Sequence, residues 1–146
     1  MIIYTIGFNQ KSAKDFFYSI KNNNIEILID IRLNNNSQLS GYTKNKDIEF
    51  FLSEISNCKY YHETIFAPTD KILKDYKKKI INWEEYKLLY TQLIVERNMV
   101  NYFIKQYSNY NRVCLLCAER TPINCHRNLL SHAIKEYDNN IKIIDI

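Results

Sequence analysis

The stretch that decides the fold is residues 25–32, which read Ile25-Glu26-Ile27-Leu28-Ile29-Asp30-Ile31-Arg32. The run is nearly continuous in apolar, β-branched side chains, a pattern typical of a strand buried on both faces of a parallel sheet. Asp30 and Arg32 close the run two positions apart, so their side chains project from the same face. The stretch therefore predicts a central strand with a charged pair at its carboxyl end.

Four further strand patterns alternate with helical patterns along the chain. The predicted strands cover residues 2–6, 59–62, 112–117 and 141–146, and the helical patterns cover residues 12–22, 47–55, 67–110 (with breaks) and 124–137. Strands that alternate with helices favour a parallel sheet whose crossover helices cover both faces. The sequence therefore predicts a single α/β domain over residues 1–146, with three layers and a mostly parallel sheet of about five strands.

Composition limits the class of protein. A chain of 146 residues fits one domain, and its 46% hydrophobic and 25% charged residues are typical of a globular chain rather than a disordered one. With only 2 glycines, a glycine-rich phosphate loop is excluded. The net charge of +4 is compatible with an anionic ligand without requiring one.

The amino-terminal residues and the cysteines bear on the compartment. No signal-peptide pattern opens the sequence, and no apolar run approaches the roughly 20 residues that span a bilayer. We therefore expect a cytoplasmic protein without a membrane partner, whose 4 cysteines are free thiols. The sequence leaves the oligomeric state open.

Polar residues gather where the predicted strands end. They are Thr5 and Gly7, then Asp30 and Arg32, then Cys117 and Glu119. Open α/β sheets bind their ligands at this edge, so we expect these residues to contribute to a site. For Asp30 and Arg32, a purely structural ion pair is the alternative, because buried charges require partners.

The junction after the fourth strand carries the most chemistry. It reads Cys117-Ala118-Glu119-Arg120-Thr121-Pro122-Ile123-Asn124-Cys125-His126-Arg127. Asn124 or Thr121 could cap the following helix, whose first turn would then favour anions and lower the pKa of the Cys125 thiol. In the alternative interpretation the junction is structural, with Arg127 paired to Glu119 and Cys125 merely buried.

Metal ligation is a further interpretation of the cysteines. Cys114 and Cys117 lie three apart in a strand and point to opposite faces, so they cannot chelate one ion. Cys117, Cys125 and His126 could supply three ligands, but no fourth is evident in the sequence. We therefore predict no metal and no cofactor.

The chain resembles the family called "domain of unknown function 488". The shared motifs are Thr5-Ile6-Gly7, Asp30-Ile31-Arg32, Ser37, Gly41-Tyr42, Ala67-Pro68-Thr69, Trp83-Glu84-Glu85-Tyr86, Cys117-Ala118-Glu119 and Cys125-His126-Arg127. Many relatives carry His after the first glycine, where this chain has Phe8. The resemblance covers essentially the whole chain and implies the fold and the location of the site.

The residues together predict an enzyme that acts on a phosphate-bearing ligand such as a nucleotide or nucleic acid. The predicted catalytic residues are Asp30, Glu119, Cys125 and His126, and the predicted ligand-binding residues are Thr5, Gly7, Arg32, Ser37, Tyr42, Cys117 and Arg127. Either Asp30 or Glu119 is the expected general acid or base. Cys125 as a nucleophile ranks behind them, because adjacent helical residues point about 100° apart and nothing would hold His126 on the thiol.

Two alternative functions use the same residues differently. The first is a non-catalytic sensor that binds a nucleotide or another anionic small molecule in the same pocket. The second is a nucleic-acid-binding protein that uses the lysines of residues 71–79, although such charge runs are usually solvated helix faces. Trp83, Tyr86 and Tyr90 recur at helical spacing and are expected in the core rather than in a base-stacking platform.

Overall fold

A five-stranded sheet forms the centre of the molecule in a computed structural model that describes residues 1–36 and 40–146. Its strands are β1 (Ile2–Gly7), β2 (Ile27–Asp30), β3 (Lys59–His62), β4 (Arg112–Cys117) and β5 (Lys142–Asp145). Their order across the sheet is β3-β2-β4-β1-β5, and each of these pairings is parallel. The predicted α/β class and strand count are therefore confirmed.

Six α-helices connect the strands within the described residues. They are α1 (Ala13–Asn22), α2 (Asn45–Ser56), α3 (Asp70–Lys77), α4 (Trp83–Glu96), α5 (Met99–Tyr107) and α6 (His126–Tyr137). Helix α1 begins where the sequence predicts, because the Ser12 hydroxyl accepts a hydrogen bond from the Asp15 N–H. The broken helical pattern of residues 67–110 corresponds to α3, α4 and α5, and Lys79 and Asn98 adopt left-handed backbone angles at the two breaks.

Alternation along the strands divides the core into two layers. Ile27, Ile29 and Leu115 pack on one face of the sheet with apolar residues of α3, α4, α5 and α6. Leu28 and Leu116 pack on the other face with apolar residues of α1 and α2. Helices on both faces explain why β2 and β4 are apolar at nearly every position, and they confirm the predicted three-layer arrangement.

The connections bring distant parts of the chain to one edge. Strand β4 lies between β1 and β2, so the chain crosses over the position of β4 when it passes from β1 through α1 to β2. The register aligns Gly7 with Cys117 and Asp30 with Leu116. The carboxyl ends of β1, β2 and β4 therefore meet at one edge of the sheet. The connections that leave β1 and β4 run to opposite sides of the sheet there, and open α/β sheets bind their ligands at such a point.

None of the helices in the described ranges is both long enough and apolar enough to cross a membrane.

Candidate functional site

A cavity of about 480 Å³ opens beyond the carboxyl ends of β1, β2 and β4. Five of the predicted site residues line it, namely Arg32, Cys117, Glu119, Cys125 and His126. Arg32 follows β2, whereas the other four come from the junction between β4 and α6. The fold thus brings together side chains that are more than 80 residues apart in the sequence.

Asp30 and Arg32 form a buried ion pair at the end of β2. Arg32 Nε donates to Asp30 Oδ1 (2.8 Å) and Arg32 Nη2 donates to Asp30 Oδ2 (2.5 Å). The same carboxylate accepts hydrogen bonds from the Arg32 backbone N–H and from the Tyr60 hydroxyl. Asp30 is fully buried and does not line the cavity, so its carboxylate orients Arg32 instead of facing a ligand.

The Arg32 guanidinium is held on several sides but still reaches the cavity. It also donates to the carbonyl and the hydroxyl of Thr43, and it lies 5.0 Å from the centre of the Phe8 ring. Burial alone would lower its pKa, but the hydrogen bonds and the charge of Asp30 outweigh burial, and the pKa of Arg32 is raised. The group is therefore a permanently charged donor in a fixed orientation.

Cys117, Cys125 and His126 form a compact cluster on the floor of the cavity, with all three side chains buried. The Cys117 Sγ lies 3.6 Å from His126 Nδ1, and His126 Nε2 donates to the Ile31 carbonyl (3.1 Å). Because a carbonyl oxygen only accepts, the second bond fixes the proton on Nε2 and directs Nδ1 at the sulfur.

Cys117, Cys125 and His126 shift one another's pKa values. A hydrogen bond from the Cys125 thiol, followed by the charge of His126, holds the pKa of Cys117 well below its usual range despite complete burial. Burial would lower the pKa of His126, but the neighbouring charge of Cys117 outweighs it, and the pKa is raised. The hydrogen bond to Cys117 and burial raise the pKa of Cys125. These shifts favour negative charge on Cys117 over Cys125, whereas the sequence predicted a lowered pKa for Cys125.

The start of α6 also differs from the sequence prediction. The helix begins at His126, not at residue 124, and Cys125 rather than Asn124 or Thr121 occupies the N-cap position. Asn124 has a left-handed backbone (φ 54°) and Cys125 is extended (φ −129°, ψ 138°). Because Cys125 is not helical, its side chain and that of His126 converge on one point, which the argument from helical angles did not anticipate.

Arg127 lies beneath this floor and does not line the cavity. Its guanidinium donates to the backbone carbonyls of Glu119 (2.7 Å) and Arg120 (3.4 Å) and to the Thr5 hydroxyl (3.2 Å). Its side chain is 1% exposed. The expectation that Arg127 faces an anion is therefore corrected, and so is the alternative pairing with the Glu119 carboxylate, since Arg127 contacts the carbonyl of that residue.

Three further predicted ligand-binding residues lie outside the cavity lining. The buried Thr5 hydroxyl bonds to Asp145 and Arg127, and Gly7 lies directly against the Glu119 carbonyl. The Tyr42 hydroxyl donates to the carbonyl of Lys11 (2.7 Å) at the start of α1. These residues support the walls of the site. Ser37 lies outside the described residues.

Sequence reasoning missed the aromatic wall of the cavity. Tyr76 of α3 and Tyr86 of α4 line it, with ring centres 5.0 Å apart. Tyr86 was expected in the core, and it belongs there as well, since it is buried. The helical spacing of Trp83, Tyr86 and Tyr90 indicated that these side chains face the interior. It did not indicate that the first turn of α4 reaches the carboxyl ends of the strands.

The lysines of residues 71–79 are partly neutralised. Lys71 pairs with Asp75 and Lys74 pairs with Asp70, both across one turn of α3. These pairs are typical of a solvated helix face, which was the expected interpretation of this charge run.

A family described as "Domain of unknown function DUF488" matches residues 12–134, which include the end of β2, the aromatic wall and the β4–α6 junction. The chain belongs to this family. The resemblance inferred from the motifs is thereby confirmed. Searches of the curated proteins and of the solved structures found no match. Membership in the DUF488 family carries no activity with it.

Proposed function

We propose that this member of the DUF488 family is a cytoplasmic enzyme that acts on a small phosphate-bearing ligand of the nucleotide class, bound in the strand-end cavity. The observation that carries the proposal is that Arg32, Glu119 and the cluster of Cys117, Cys125 and His126 line one cavity. Its volume of about 480 Å³ falls within the range of small-molecule sites. Four buried free thiols fit a reducing compartment.

Arg32 supports the binding of an anionic group. A guanidinium has five N–H groups, and four of them have acceptors in Asp30 and Thr43. The remaining Nη1 hydrogen has no acceptor among the residues that the structure describes. Because Asp30 neutralises most of the charge, Arg32 contributes one directed, charge-assisted hydrogen bond, which suits the orientation of a phosphate oxygen.

The aromatic lining of the cavity supports a planar group on the same ligand. Tyr76 and Tyr86 line the cavity, and Phe8 and Leu73 extend its apolar lining. Aromatic faces bind nucleobases by stacking, at about 1–3 kcal/mol per base. A ligand with an anionic end near Arg32 and a flat end near the tyrosines would match both walls, as a nucleotide does.

Glu119 supports a catalytic role for the site. It is the one carboxylate that lines the cavity within residues 1–36 and 40–146, and its side chain is exposed. Asp30 is saturated with hydrogen bonds, so of the two predicted acid–base candidates only Glu119 is free to contact a ligand. A carboxylate near a bound phosphate ester could accept or donate the proton of the reaction.

The test combines binding with turnover. The protein is mixed with nucleoside mono-, di- and triphosphates, and its melting temperature and the products are followed together. We expect a ligand that raises the melting temperature and is converted. Glu119→Gln should lower turnover about 100-fold or more and keep the thermal shift. Glu54→Gln, an exposed carboxylate on α2, is the matched control and should retain both.

The other outcomes are decisive as well. A thermal shift without conversion of any nucleotide would contradict an enzyme and support the sensor. No shift with any phosphate-bearing compound would overturn the cavity as a nucleotide site. Binding of nucleic acid that weakens steeply with salt and persists in Arg32→Ala would place function on the α3 surface instead.

A further inference from the structure

We propose that Cys117, Cys125 and His126 form a binding site for one Zn²⁺ ion, with its fourth coordination position open to the cavity. Their ligand atoms all lie within 4.8 Å of one another, and the three side chains are buried. Thiolates and imidazoles are the preferred ligands of zinc in proteins.

The observed spacing matches what zinc requires. With Zn–S near 2.3 Å and Zn–N near 2.0–2.1 Å, a tetrahedral ion separates a sulfur from a nitrogen by about 3.6 Å. The observed distance from Cys117 Sγ to His126 Nδ1 is 3.6 Å. Two sulfurs on one zinc lie about 3.8 Å apart, and all three ligand atoms already lie within 4.8 Å of one another.

The surrounding groups orient the ligands as metal sites require. The bond from His126 Nε2 to the Ile31 carbonyl leaves Nδ1 as the nitrogen with the free lone pair, directed at the sulfurs. The Arg127 guanidinium donates to Cys125 Sγ (3.5 Å). This donor stabilises negative charge on the Cys125 sulfur, as a bound thiolate needs.

The fold supplies this ligand set from two rigid elements. Cys117 is the last residue of β4, and His126 is the first residue of α6. Cys125 lies between them with an extended backbone at the N-cap position, so its sulfur and the His126 ring converge on one point. Three ligands on element ends give a preformed site, and a fourth protein ligand is not needed where zinc keeps a water or a substrate atom.

The open position defines what the ion would do. All three ligands line the cavity, so the remaining position faces the space in which Arg32 and Glu119 also lie. Zinc there would act as a Lewis acid on a ligand oxygen or lower the pKa of its bound water. This catalytic use of zinc rests on the proposed function, whereas the binding of zinc does not.

The test measures metal binding without any nucleotide. The full chain is treated with a chelator under reducing conditions and titrated with Zn²⁺ against a chromophoric competitor, and Co²⁺ then serves as a spectroscopic probe. We expect one ion per chain, with thiolate-to-cobalt charge transfer and the intense d–d absorption of a four-coordinate site. Cys117→Ser and Cys125→Ser should each weaken zinc binding by about 100-fold or more. Cys58→Ala removes a buried thiol outside the cluster and should bind as the unaltered protein does.

A second measurement uses the unaltered chain, so that misfolded variants cannot decide the outcome. Iodoacetamide is added with and without Zn²⁺, and the modified cysteines are mapped by mass spectrometry. We expect Zn²⁺ to protect Cys117 and Cys125 selectively. Absence of stoichiometric binding, or alkylation of Cys117 that ignores Zn²⁺, would overturn the metal site. Zinc binding without conversion of any nucleotide would instead overturn the proposed function and leave the metal site standing.

Discussion

Arg127 is the largest fully buried side chain in the described part of the molecule, and it joins β1 to the β4–α6 junction. Arg127→Met keeps most of the apolar stem but removes the buried donor to the carbonyls of Glu119 and Arg120 and to the Thr5 hydroxyl, which keeps its bond to Asp145. Each unsatisfied buried group costs about 1–3 kcal/mol, so we expect the free energy of unfolding to fall by about 3 kcal/mol, measured by urea denaturation.

A matched change at Arg120 provides the control. Its guanidinium bonds to the Gln10 side chain at the surface, so Arg120→Met should change the unfolding free energy by less than about 0.5 kcal/mol. Equal effects of the two substitutions would show that Arg127 is not a structural anchor.

At the scale of single residues, the sequence predicted partners only where they are close along the chain. The Asp30–Arg32 pair followed from two charges at one strand end, and the structure confirms their contact. The partners of Arg127 are carbonyls at residues 119 and 120, and their positions depend on a loop conformation that residue types do not encode. Its burial was therefore not predictable.

The packing of β1 against the β4–α6 junction depends on the absence of a side chain at Gly7. A Cβ at this position would lie 1.6 Å from the Glu119 carbonyl oxygen and 2.6 Å from its carbon, both backbone atoms. We expect Gly7→Ala to lower the unfolding free energy by about 3 kcal/mol or more, because the junction must move as a whole. Thermal or urea denaturation measures the loss.

Gly41 offers the matched substitution, since it is the other glycine of the chain. A Cβ there would meet no atom of the described residues within 4 Å, so Gly41→Ala should change stability by less than about 0.5 kcal/mol. Similar stabilities for the two variants would contradict the close approach of β1 to the junction.

At the scale of elements, periodicity predicted the strands well and the junction poorly. Strand β4 was predicted with the boundaries that the structure has, because both of its faces are apolar up to Cys117. The start of α6 was misplaced by two residues, since the left-handed Asn124 delays the helix and leaves Cys125 extended. That local geometry, rather than residue type, brings the Cys125 thiol close to the His126 ring.

At the scale of the molecule, alternating strands and helices predicted the fold class, but not the strand order. The insertion of β4 between β1 and β2 depends on tertiary packing. It creates the edge at which Arg32, Cys117 and His126 line one cavity. The general rule for open sheets predicted that edge as the site. The contributions of Tyr76 and Tyr86 were not predictable, because they depend on how α3 and α4 dock against the sheet.

Buried thiol and phenol groups predict that the protein loses stability at alkaline pH. Burial raises the pKa of the Cys58 thiol from 9.0 to about 12, and burial together with a hydrogen bond to Glu63 raises the pKa of Tyr107. Between about pH 9 and pH 12 the unfolded chain loses the Cys58 proton while the folded chain keeps it. The unfolding free energy therefore falls as the pH rises, by up to about 1.4 kcal/mol per pH unit for this thiol.

Urea denaturation at intervals from pH 7 to pH 11 measures this slope, and Cys58→Ala isolates the contribution of the thiol. Replacing Cys58 by Ala also removes a small buried group, which shifts the whole curve of unfolding free energy against pH by a constant amount. The prediction therefore concerns the slope of that curve and not the absolute stability. Above pH 9.5 the variant should lose stability less steeply than the unaltered chain, by about 1 kcal/mol per pH unit. Parallel curves would mean that the Cys58 thiol ionises in the folded protein as readily as it does in water, and would contradict the effect expected from its burial.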